Sequence, residues 1–136
     1  MTRIYEISDQ LVEKIAALNP IAATSLGVPG YESELGDFSP NGLSVNADLA
    51  RDTLKELKSV SIDNDADRRA KEVMTEDLEA DLDAYQRGEP FRKLNILSSP
   101  LQNIRMVFDY MPRENQEDWE NIASRLSKVS GALKGY

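Results

Sequence analysis

Apolar residues return every three or four positions along most of this chain, the period of α-helices with one buried face. Ile4, Ile7, Leu11, Ile15 and Leu18 set that rhythm first and predict a helix from about Arg3 to Leu18. Asn19-Pro20 then restarts the chain, with Asn19 as N-cap and Pro20 at the first helical position. The short helix that follows, Ile21 to Leu26, stops at Gly27. Val28 to Asp37, with Pro29, Gly30 and Gly36, reads as an irregular loop.

The remaining pattern supplies four longer or better-capped helices. Ser39-Pro40 opens the third, with Phe38 placed to staple onto Leu43 and a stripe of Leu43, Ala47, Ala50, Leu54 and Leu57. The fourth spans about Ala66 to Arg87, with Asp65 as its cap and Ala70, Met74, Leu78, Leu82 and Tyr85 on one narrow face. Gly88 and Pro90 end it. Ser99-Pro100-Leu101-Gln102 is a capping box opening the fifth, lined by Leu101, Ile104, Phe108 and Met111. The sixth begins near Asn115 and carries Trp119, Ile122, Leu126, Val129 and Leu133 on one face, which Tyr136 extends to the last residue. Nothing reads as a strand. Amphipathic helices must bury their faces against one another, so the expected fold is all-α, a bundle of five to six helices. Its expected core holds Leu11, Ile15, Leu54, Leu78, Leu82, Ile104, Phe108, Trp119, Ile122 and Leu126.

Composition narrows the chemistry. At 136 residues the chain suits a single domain, and it contains neither histidine nor cysteine. Imidazole bases, thiol nucleophiles and disulfides are thereby excluded, and only oxygen ligands remain for a metal. No tightly bound transition metal is expected of this chain. Sixteen basic residues against 24 acidic ones leave a net charge of −8, which disfavours nucleic acid and anionic membrane surfaces as partners. No apolar run approaches the ~20 residues of a membrane span, and Met1 to Gln10 has no signal-peptide core. A cytoplasmic location is the expectation.

The polar clusters mostly read as structure. Asp63, Asp65 and Asp67 alternate like the first ligands of a calcium loop, but Arg68 and Met74 stand where that loop needs glycine and glutamate. Glu72, Glu76, Asp77, Glu79, Asp81 and Asp83 form a solvated face of the fourth helix. Gly27-Val28-Pro29-Gly30 lacks the lysine and spacing of a phosphate-binding loop. No catalytic residue is assigned. The one polar set of interest is Ser98, Gln102 and Arg105, with Tyr110, bordering the otherwise apolar segment Leu94 to Met111. Arg105 shares a helix face with Gln102 and is chemically suited to grip a carboxylate. Those three are the candidate substrate-cleft residues. The bland reading, in which Gln102 caps and Arg105 pairs with a neighbouring acid, is the competing one.

Four stretches carry a resemblance: Leu18-Asn19-Pro20-Ile21-Ala22-Ala23-Thr24-Ser25-Leu26-Gly27, Asn95-Ile96-Leu97-Ser98-Ser99-Pro100-Leu101-Gln102, Val107-Phe108-Asp109-Tyr110-Met111 and Asp118-Trp119-Glu120-Asn121-Ile122. In this order they resemble the N-terminal part of the bacterial family known as domain of unknown function 885. The resemblance covers essentially the whole chain. It implies a largely helical protein several times longer, similar to zinc metallopeptidases of the helical carboxypeptidase type, with its metal-binding histidines and glutamate far downstream. No zinc ligand or general base carries over to any residue of this chain. The resemblance therefore implies an inactive N-terminal helical portion that packs against, and roofs, a cleft built mostly by later residues. From a different class comes a second expectation, a self-sufficient acidic helical module acting through protein contacts. Partners are accordingly the remainder of a longer chain, or a second copy in a symmetric homodimer that covers the sixth helix's apolar face.

Overall fold

The computed structural model describes residues 2–136 and contains six α-helices with no strand among the described residues. They are α1 (Arg3–Leu18), α2 (Pro20–Leu26), α3 (Pro40–Ser59), α4 (Asp65–Gln86), α5 (Pro100–Tyr110) and α6 (Gln116–Gly135), with a 3₁₀ turn at Glu89–Arg92. The helix ends are where the capping chemistry places them. Asn19 accepts from the Ala22 amide at 3.1 Å, and Gly27 closes α2 in the left-handed region at φ 73°. Gly88, at φ 72°, follows α4 in the same conformation. Ser39, Asn115 and the Ser99–Gln102 box open α3, α6 and α5. Asn64, rather than Asp65, caps α4: its Oδ1 accepts from the Asp67 amide at 2.9 Å, while Asp65 faces solvent beside Arg68.

Two apolar clusters divide the molecule. The first joins α1, α3 and α4 through Ile4, Ile7, Ala50, Leu54, Leu57 and Leu78, with Leu11, Met74 and Leu82 half-buried against it. Each fully buried aliphatic side chain contributes about 2 kcal/mol. The second joins α2, the 28–39 loop, α5 and α6 through Ile21, Leu35, Ile104 and Val107, flanked by Phe38, Phe108, Val129 and Ala132. A further tie comes from Thr2, whose hydroxyl donates to Asp67 Oδ1 at 2.7 Å, joining the starts of α1 and α4. Asp67 is 1% exposed, so its place in the acidic cluster at 63–67 is structural rather than solvated.

Three expected core residues lie elsewhere. Ile15, 37% exposed, lines an open groove between α1, α3 and α4, which the small Ala47 and Ala50 leave unfilled. Trp119 and Leu126 are each 54% exposed. Helix α6 is rotated about its axis relative to the apolar stripe, so that Ile122 and Val129 stay inward and are joined there by Arg125 and Ala132. An arginine in that row explains the rotation, as its bonding shows below. The acidic row of α4 is exposed throughout, as its pattern predicts.

Candidate functional site

The segment from Leu94 to Arg105 is built around Asn95. Its Oδ1 accepts from the amides of Leu97 at 2.8 Å and Ser98 at 2.6 Å, and its Nδ2 donates to the Ser98 carbonyl at 2.8 Å. Gln102 reaches back from the first turn of α5: its Nε2 donates to the Asn95 carbonyl at 3.0 Å, and its Oε1 accepts from the Ser99 amide at 3.0 Å. The loop is thus tied to the helix it precedes. Its apolar side chains point outward all the same, with Leu94 68%, Leu97 86% and Ile96 92% exposed.

The three residues singled out from sequence meet different fates here. Ser98 lends its backbone to the Asn95 ring and is exposed. Gln102 is engaged at both ends of its amide by the loop and the cap. Arg105 extends into solvent one turn further along and pairs with Asp109, four residues on. They lie along one stretch of surface but do not converge on a common point, and Tyr110 is exposed at the far end of α5. The groove lined by Leu11, Ile15, Ala47, Leu82 and Tyr85 has a volume of about 290 Å³, with Asp81 and Lys93 at its margin. It is an apolar trough without a nucleophile–base pair.

Sequence reasoning missed the most heavily bonded side chain, Arg125, which is completely buried. Its Nε donates to the Glu34 carbonyl at 2.8 Å. Its Nη2 donates to the Tyr31 carbonyl at 2.8 Å, to Thr24 Oγ1 at 2.9 Å and, more weakly, to the Pro20 carbonyl at 3.4 Å. Burial pushes this guanidinium below its usual range, and the charges of Glu32 and Glu34 push the other way. Beside it Lys128 donates to the Ser33 carbonyl at 2.9 Å. The two cations clamp the 31–34 loop and α2 onto α6. The signal was present in the 3-4-3 spacing of Ile122, Arg125, Val129 and Ala132, which an apolar-only stripe passes over.

Residues 20–136, which hold both this clamp and the Asn95 loop, match the model of a family described as bacterial protein of unknown function, DUF885. The chain belongs to that family. No curated relative matches it. In this DUF885 chain, no group of three or more histidine, cysteine or carboxylate side chains among the described residues is placed to hold a metal ion. The donor chemistry therefore does not fit the zinc that the sequence resemblance implies for a longer protein, and no step is derived through it. No helix among the described residues is long and apolar enough to cross a membrane.

Proposed function

We propose that this chain is the N-terminal helical portion of a cytoplasmic metallopeptidase-like hydrolase, contributing scaffold and cleft wall but no catalytic group. The observation that supports the reading is the outward-facing Leu94, Ile96 and Leu97 on a tied loop, in a helical chain belonging to the DUF885 family. Side chains so placed are energetically unfavourable in water and fit a surface that other residues cover. In this reading the remainder of a longer chain packs on the loop, and that remainder, not this chain, would hold any zinc through its own histidines. Arg105, whose side chain is 74% exposed, faces substrate and releases Asp109 to take a substrate carboxylate.

Expression of the reading frame continued past Tyr136 tests this directly. The expected product binds zinc and hydrolyses peptides, whereas the 136-residue chain does neither. Arg105→Ala in the longer product should lower kcat/KM about tenfold, one lost charge-assisted contact, with an unchanged melting temperature. A stop codon directly after Tyr136, or a longer product without zinc or hydrolysis, would displace this reading in favour of a self-sufficient interaction module.

A further inference from the structure

Helix α6 presents a second apolar row beside its buried one. Trp119, Ala123, Leu126, Ser130 and Leu133 follow at intervals of four, three, four and three, and all five are exposed. That is the heptad spacing of a coiled-coil seam, repeated over most of the 20-residue helix. Bulky and small residues alternate strictly along it.

We propose that this row is the seam of an antiparallel homodimer, with α6 of a second copy as its occupant. The alternation decides the direction. In a parallel pair each layer sets like against like, Leu126 on Leu126 and Ala123 on Ala123. Antiparallel copies instead set Leu126 against Ser130 and Leu133 against Ala123 of the second copy, giving four interlocked layers with Trp119 at their outer end. Charge chooses the same arrangement. Glu120 and Lys134 each follow a bulky seam position by one residue and therefore flank the seam on the same side. In that antiparallel register Glu120 of each copy lies opposite Lys134 of the other, giving two symmetric pairs. Lys134 makes no ion pair within the chain among the described residues, and Glu120 only accepts from Gln116 at 2.7 Å. The helix dipoles also oppose in this arrangement.

Sedimentation equilibrium on the 136-residue chain, from micromolar to millimolar, tests the seam. The unmodified chain should form a dimer, and Leu126→Glu should weaken it by about 30-fold or more while leaving the helical circular dichroism unchanged. Glu120→Lys should weaken it by about three- to tenfold, and adding Lys134→Glu to that variant should restore the dimer. The charge-reversal pair keeps the test decisive even if the Leu126 variant misfolds. A chain that stays monomeric throughout overturns the proposal. So does a dimer that neither the Leu126 variant nor the charge reversals affect, or a monomeric longer protein in which the remainder of its chain covers Trp119 and Leu133.

Discussion

A single side chain, Arg125, organises one half of the molecule. A charge in an apolar interior is tolerated only when its donors are matched, and here backbone carbonyls and one hydroxyl do the matching. One of its nitrogens, Nη1, has no hydrogen-bond partner among the described residues. Arg125→Ala should destabilise the chain by about 3 kcal/mol, because it leaves several buried carbonyls unsatisfied as well as a void. Denaturant titration followed by circular dichroism measures this. Arg125→Lys should recover less than half of the loss, since a point-like ammonium cannot serve contacts arranged for a planar fork. At this scale the sequence was least legible. A buried arginine has no signature distinct from an exposed one until its helical neighbours are placed, whereas Gln102 caps α5 and Arg105 pairs with Asp109 as the competing local reading had it.

The elements themselves were legible because helix ends are local chemistry. Asn19-Pro20, Ser39-Pro40 and the Ser99–Gln102 box act within a few residues, so no tertiary information was needed to place them. The face each helix buries is not local, and α6 shows it: the clamp to the 31–34 loop turned Trp119 and Leu126 outward. The entry to α3 is a second place where loop and helix constrain each other. Gly42 sits so close to the loop that an added Cβ would stand 2.1 Å from the Asp37 carbonyl oxygen. Gly42→Ala should therefore cost about 2 kcal/mol by thermal denaturation, although alanine favours helices by up to about 1 kcal/mol elsewhere. The same entry responds to pH. Hydrogen bonds from Ser39, first its hydroxyl and then its backbone N–H at 2.8 Å, hold the Asp37 carboxyl below the ordinary range. A depressed folded-state value means a stabilising contribution present above about pH 4 and lost as pH falls through the lower folded value. The stability gap between the unmodified chain and Asp37→Ala should accordingly close on acidification, as urea midpoints measured across that range will show.

Across the whole molecule, stability and exposure are unevenly shared. Both clusters are closed, with Ile4, Leu57 and Val107 fully buried, but the α5–α6 half carries most of the exposed large apolar side chains outside its core, among them Leu94, Ile96, Leu97, Trp119 and Leu126. Leu57→Ala should cost about 3 kcal/mol, and Trp119→Ala or Leu126→Ala less than about 1 kcal/mol each in dilute solution, where only the folded chain is measured. Stability and association would then depend on separate residues. The Asn95 loop carries this separation furthest. Its side chain fixes the turn before anything docks, so a surface meeting Leu94, Ile96 and Leu97 need not restrain a mobile strand first. Restraining such a strand costs roughly 0.5–1.5 kcal/mol for each side chain immobilised. Asn95 would thus act as a preorganising residue: by fixing the turn in advance, it would lower the entropy lost by any surface that docks on the loop.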